Sequence, residues 1–312
     1  MIHTTVLLHE TIDSLGLERS TLPTPKIVVD GTLNNGGHSE EILNRYGNQV
    51  RLIGIDLSAS AIARAAKRLE AHGARGAKTS FHQDNFRNVD TVLRNEGLAD
   101  SGVLSGMVLD LGVSSEDLEA SGRGFSFRKD EPLVMTYADV PAGNDLTAYM
   151  IVNTWDEKVI ADIIFGYGEE RYARRIARTI VEARRTKRIA TTFELVALIE
   201  KSVPFPYRIG LTHFATRTFQ ALRIAVNDEL GALAEAIRKG FHALAPGGRL
   251  AIISFHSLED RVVKKLFAEM VEAERGTLIF KKPLPPKDEE IMRNRRARSA
   301  KLRVIEKVTG NK

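Results

Sequence analysis

The chain of 312 residues contains no cysteine. That excludes disulfides, thiolate metal sites and a cysteine nucleophile, and it fits a reducing compartment. It also lacks a long apolar run. Nothing approaches the roughly 18–20 residues that cross a bilayer, so no membrane span is expected. The opening Met1-Ile2-His3-Thr4-Thr5 has no basic start followed by an apolar stretch. No signal peptide is expected, and the expected location is cytoplasmic. Two motifs are missing as well. Without G-x-G-x-x-G a dinucleotide-binding dehydrogenase is disfavoured. Without G-x-S-x-G an α/β hydrolase is disfavoured. No internal repeat or low-complexity tract occurs. What is present, 43% hydrophobic and 27% charged residues, suits a soluble globular chain. The net charge of +5 is modest, so its distribution matters more than its sum.

The first hundred residues alternate strand-like and helix-like pieces. Lys26–Asp30, Arg51–Asp56, Lys78–Asp84 and Ser105–Leu111 read as strands. Ser39 and Ser58 are placed to cap the helices between them. Such alternation predicts a parallel sheet with helices on both faces. From Glu116 to Leu211 the pattern turns helical, with capping boxes expected at Thr154–Glu157 and Thr191–Glu194. One long helix is expected from Phe214 to Ala243, ended by Pro246-Gly247-Gly248, and then strands at Arg249–Phe255 and Leu302–Val308. Residues 1–115 and 214–312 therefore form a discontinuous α/β domain, and 116–213 a helical insertion.

Strand ends in such a sheet are where ligands bind. Asp30-Gly31-Thr32 leads through Gly36-Gly37-His38-Ser39 into a helix whose first N–H groups lack partners. Asp56 ends the second strand, where a carboxylate suits ribose hydroxyls. Phe86 follows the third strand, where a ring could stack on a base. This set fits a nicotinamide cofactor or S-adenosylmethionine. Each member also has a bland reading: a turn at Gly36 and Gly37, a cap at His38, a solvated strand end at Asp56, and core packing at Phe86.

Asp110 ends the fourth strand, and Ser114, Ser115 and Asp117 follow it. A second polar cluster, Ser254-Phe255-His256-Ser257-Leu258-Glu259-Asp260-Arg261, follows the fifth strand. The two should converge, because these strands are expected to be neighbours. The spacing of His256, Glu259 and Asp260 matches no common metal site. A helix cap, with Ser257 capping and Asp260 three residues on, is expected there.

With these residues in view, the chain resembles the bacterial 16S rRNA cytosine-N4 methyltransferases, the MraW (RsmH) family. The resemblance is carried by His3–Glu10, Asp30-Gly31-Thr32 with Gly36–Ser39, Asp110–Ser115, Arg123–Phe127, Tyr167–Glu170, Thr218–Ile224, Ser254–Arg261 and Arg298–Arg303. It implies a class I (Rossmann-like) S-adenosylmethionine-dependent methyltransferase sheet with an inserted helical domain. The implied partner is 16S rRNA in the small ribosomal subunit, and the implied target a cytosine of the decoding centre. Cofactor contacts carry over to Gly36, Gly37, His38, Asp56, Phe86 and Asp110, and to Asp117, where the family usually has glutamine. Two more departures are Leu33-Asn34-Asn35 for a Phe-Gly-Arg run, and Pro132-Leu133-Val134-Met135-Thr136-Tyr137 for Pro-Leu-Asp-Met-Arg-Met.

Methyl transfer from a sulfonium is in-line displacement, so positioning dominates. The cytosine N4 lone pair is delocalised, and acceptors on its hydrogens would localise it. No Asp-Pro-Pro-aromatic motif follows the fourth strand. The acceptors are therefore sought at backbone carbonyls near Gly112 and Val113, with Asp110, Ser114, His256 and Asp130 as candidate catalytic residues. A flipped base would be held by Phe125 and Phe127, with Arg123 on a phosphate. RNA backbone is expected on Arg295, Arg296, Arg298, Lys301 and Arg303, ahead of the basic helix at Arg171–Arg188. The sequence leaves open a DNA or other RNA substrate, a cofactor-binding assembly protein without turnover, and the oligomeric state, a dimer included.

Overall fold

The computed structural model describes residues 5–18, 24–71, 78–99, 101–112, 121–141, 143 and 145–308. The chain divides into two compact units, Met1–Gly112 with Leu230–Lys312, and Val113–Glu229.

The first unit is built on a seven-stranded sheet: β1 Lys26–Asp30, β2 Val50–Asp56, β3 Lys78–Gln83, β4 Leu104–Asp110, β5 Leu244–Ser254, β6 Gly276–Leu278 and β7 Lys301–Lys307. Its order is β3-β2-β1-β4-β5-β7-β6. The first five strands are parallel, and β7 runs antiparallel between β5 and β6. Side chains on each strand alternate between faces. Val29, Ile53, Met107 and Leu109 enter one apolar cluster, together with Leu233 and Ile237 from helix Glu229–Ala243 and Leu266 and Phe267 from helix Ser257–Glu272. Val28, Leu52 and Val108 enter the other, with Ile12 and Leu15 from helix Leu8–Leu15 and Ile42 from helix Gly37–Tyr46. Burial on both faces is why β4 reads as an unbroken run: all seven of its residues are buried.

The chain leaves β1 toward β2 and returns on its other side as β4. The strand order reverses there, and the crevice between the carboxyl ends of β1 and β4 is the expected ligand site.

Several local expectations are corrected. The Pro246-Gly247-Gly248 stretch does not precede β5 but bulges inside it. The register slips between Leu104 and Gly106, and a Cβ on Gly248 would lie 2.5 Å from the Leu104 carbonyl oxygen. Helix Gly37–Tyr46 starts two residues before Ser39, on a left-handed Gly36 (φ 72°), so Ser39 is not its cap. The helix after β5 is capped by His256 with Glu259, not by Ser257 with Asp260.

The second unit is helical: Ala148–Thr154, Glu157–Gly168, Ala173–Arg184, Thr192–Ser202, Phe205–Arg208 and Thr216–Asn227. Its core gathers Ile151, Ile160, Ile164, Ile176, Ile180, Leu195, Ile199 and Leu222. Thr191 and Glu194 form the expected capping box. The expected box at Thr154 does not form, since Asp156 occupies the N-cap without a side-chain hydrogen bond. The long helix expected over 214–243 is two helices broken at Asp228, which is left-handed (φ 46°). Phe219 and Leu222 of the first piece pack into the helical core. The second boundary therefore falls at Glu229/Leu230, not at 213/214.

Candidate active site

The site is assembled from loops at the carboxyl ends of β1, β2, β4 and β5. After β1 the backbone is stitched to its neighbours. The Gly31 N–H donates to Val108 O (2.9 Å), and the Leu33 N–H to Ile55 O (3.0 Å). Asp56 receives the Asn34 N–H on Oδ2 (2.8 Å) and the Ser58 N–H on Oδ1 (2.9 Å). It therefore ties the glycine loop to the end of β2. A carboxylate has about four acceptor positions, so these bonds are compatible with a ribose contact. Gly37 has a packing reason of its own: a Cβ there would lie 1.8 Å from Thr5 Oγ1. Phe86 is half-buried against the core, and its Cβ would be 3.4 Å from a Cβ on Gly31.

Two buried carboxylates face this crevice. Asp30 accepts from Ser39 Oγ (2.6 Å) and from the Thr32 N–H (3.3 Å). Burial still pushes its carboxyl up to about 6, against the lowering by those two bonds and with a smaller push from the charge of Asp56. Asp110 is 8% exposed, and its N–H donates to Thr32 Oγ1 (2.6 Å). Its Oδ2 lies 3.8 Å from His38 Nδ1, and its Oδ1 is buried with no hydrogen-bond partner among the described residues. Burial, then the charges of Asp30, Glu259 and Glu290, hold its pKa well above the usual carboxylate range. A buried oxygen left without a donor costs free energy unless a ligand supplies one. A cationic or hydrogen-bonding ligand in the crevice fits that oxygen.

At the end of β5, Glu259 Oε2 accepts the N–H groups of Phe255 (2.8 Å) and His256 (3.2 Å). His256 Nδ1 accepts the Glu259 N–H (3.4 Å). Its Nε2 lies 3.1 Å from Glu259 Oε1, outside hydrogen-bond geometry, and is buried. His256 is therefore a helix cap whose Nε2 carries the ring proton beside the Glu259 carboxylate. Glu259 and Glu290 were not among the expected site residues. The His256-x-x-Glu259 spacing carried a signal, but Glu290 did not: it reaches the site by accepting the Leu7 N–H (2.7 Å) from the other end of the chain.

A profile of the MraW methylase family matches residues 1–308. The chain belongs to that family. It is 44% identical over 322 aligned positions to the ribosomal RNA small subunit methyltransferase H of Heliobacterium modesticaldum, with 98% of each chain covered. The enzyme of the same name from Clostridium botulinum is 42% identical, covering 98% of this chain and 99% of its own. That from Streptococcus mutans is 41% identical, covering 98% of each. This MraW-family methylase is an S-adenosylmethionine-dependent methyltransferase with the Rossmann-like sheet described above.

The remaining expected site residues of the methylase are placed differently. Ser114 and Asp117 lie outside the described residues. Asp130, expected near the chemistry, is exposed, and its Oδ1 accepts the Phe193 N–H (3.1 Å) at the start of helix Thr192–Ser202. Arg123, expected on a phosphate, is 7% exposed. Its Nη1 donates to the carbonyls of Thr136 (3.0 Å), Tyr137 (2.7 Å) and Ala138 (3.0 Å). Phe125 stacks on Tyr137 (5.6 Å between centroids), and Phe127 stacks on His213 (4.3 Å). These residues brace the 121–139 loop within the helical unit. Arg123→Met is therefore expected to lower stability to urea by about 2–4 kcal/mol, because three carbonyls lose a charged donor. Unchanged stability together with a shallower salt dependence of RNA binding would return Arg123 to a phosphate.

In the basic C-terminal stretch the expectation divides. Arg303 (2.7 Å) and Lys301 (3.1 Å) both donate to Asp260, so these two cations share one carboxylate within the fold. Arg295, Arg296 and Arg298 are exposed.

Proposed function

We propose that this methylase transfers a methyl group to N4 of a cytosine in the decoding centre of 16S rRNA. The observation that carries the active-site assignment is the buried Oδ1 of Asp110 at the β1/β4 crevice, which has no hydrogen-bond partner among the described residues. The family and its ribosomal relatives support the choice of RNA. In this reading Asp56 holds the ribose of the cofactor, Phe86 its adenine, and the Gly36-Gly37-His38 turn its main-chain side. S-adenosylmethionine, when bound, supplies an electrophilic methyl group on a sulfonium.

The protein's own task is then alignment and proton handling. Asp110 offers a buried carboxylate to a cation in the crevice, where its charge counts for more than in solution. Acceptors on the N4 hydrogens localise the amine lone pair and take up the charge that develops on nitrogen. The Gly112 carbonyl fills that role in this reading, while His256, whose Nδ1 accepts the Glu259 N–H, holds its proton on Nε2 as a donor. RNA backbone is held by Arg295, Arg296 and Arg298, and by the exposed arginines 174, 175, 178 and 185 of the helical unit.

The test is incubation with methyl-labelled S-adenosylmethionine and undermethylated small-subunit particles, followed by nucleoside analysis. Label is expected in N4-methylcytosine. Label in another nucleoside would reassign the substrate. Cofactor binding without transfer to any nucleic acid would favour an assembly protein without turnover.

A further inference from the structure

A second cleft lies at the opposite end of β5. Helix Glu229–Ala243 ends directly before β5 begins, and Lys307 ends β7 beside the start of β5, one residue past the Arg249–Glu306 pair. The stretch from Gly248 to Ser254 places this cleft roughly 20 Å along the strand from the cofactor crevice. Its volume is about 500 Å³, within the range of small-molecule sites. Phe241, Leu266 and Met270 form an apolar floor, each less than 5% exposed.

The rim is cationic. Arg238, Arg275 and Lys307 line the cleft against a single carboxylate, Glu269. That carboxylate is drawn toward Lys265 (3.9 Å), and neighbouring Glu306 is turned to Arg249 (2.8 Å). Lys307 Nζ donates to the His242 carbonyl (2.7 Å) and lies 5.9 Å from the Phe241 ring centre. Capping a helix end accounts for one of the three cations. Burial and the charge of Arg275 pull the Lys307 pKa down, so these positive groups converge at a cost. Like charges gathered over an apolar floor, with nearby acids engaged elsewhere, match a ligand with an anionic head and an apolar or aromatic body.

We propose that this cleft is a second ligand site that binds a nucleotide, its phosphate held by Arg238, Arg275 and Lys307 and its base laid on the apolar floor. The nucleotide can belong to an RNA strand or be free; the chemistry is the same.

The test uses the full-length enzyme with saturating S-adenosylhomocysteine, so that the cofactor crevice is filled. Uridine 5′-monophosphate, uridine and a single-stranded RNA decamer are titrated into the parent and into the double variant Arg238→Glu/Arg275→Glu. Both side chains are exposed, and S-adenosylhomocysteine affinity serves as the control for folding. The monophosphate is expected to bind the parent at least tenfold more tightly than uridine. At least a tenfold loss in the double variant for the monophosphate identifies a free nucleotide as sufficient. The same loss for the decamer alone identifies an RNA strand. Changes under twofold for both ligands would overturn the proposal. That failure would leave methyl transfer to ribosomal particles untouched, so the two readings stand or fall separately.

Discussion

Asp110→Ala is expected to lower methyl transfer roughly 100-fold at saturating cofactor, the scale seen when one preorganised electrostatic contact is removed from an active site. The fold is expected to survive. Burial and three neighbouring carboxylates, Asp30, Glu259 and Glu290, oppose ionisation of Asp110, so its removal relieves the folded state. Asp110→Asn keeps the volume without the charge. It should lose most of the same rate, because the neutral amide cannot balance a cation. Circular dichroism and thermal melting check the fold, and single-turnover rates check the chemistry. A variant that methylates at the parental rate would remove Asp110 from the site.

Asp30→Asn has the second large expected effect, and it acts on stability. The Asp30 carboxyl titrates near 3.8 in a solvated chain and about 6 in the fold. The folded state therefore binds more protons between these values. The resulting stabilisation is fully present below about pH 4 and is lost as pH rises through about 6. A shift of this size corresponds to about 3 kcal/mol between the two plateaus. Asparagine keeps an oxygen for the Thr32 N–H, and its amide N–H can donate to the Ser39 hydroxyl oxygen, but it cannot ionise. The difference between variant and parent should be small at pH 4 and should favour the variant by about 2–3 kcal/mol at pH 8. Urea unfolding at both values reads it. A difference that does not change with pH would mean that Asp30 carries no raised pKa. Asp30 also raises Asp110 through its charge, so the variant should ease ionisation of Asp110 as well.

The sheet was legible because strands buried on both faces leave short apolar runs: Ile27, Val28 and Val29 in Lys26–Asp30, and Met107, Val108 and Leu109 in Leu104–Asp110. Asp56 and Asp110 were legible for the same reason: a charge ending a buried run must sit at a strand end. What the sequence hid was mostly long-range. Nothing local tells that Asp228 adopts a left-handed conformation and splits a helical pattern in two. Nor does anything near Glu290 reveal that it accepts the Leu7 N–H from 283 residues away. Arg123, Phe125 and Phe127 look like an RNA-binding loop because Arg and Phe serve either purpose. Only the carbonyls of 136–138 and the rings of Tyr137 and His213 show that they brace the helical unit. Lys301 and Arg303 belong to the same class: their partner, Asp260, lies 41 and 43 residues away.

The β1/β4 crevice with Asp110 as its charged wall is tested most directly by cofactor affinity against pH. S-adenosylmethionine carries a sulfonium, and S-adenosylhomocysteine a neutral thioether. Asp110 is surrounded by His38, Asp30, Glu259 and Glu290, and its carboxyl resists ionisation without a cation beside it. In the parent enzyme, preference for the sulfonium over the thioether should rise with pH as Asp110 ionises, and in Asp110→Asn it should be flat and smaller. The same pH-dependent preference in both proteins would contradict the assignment.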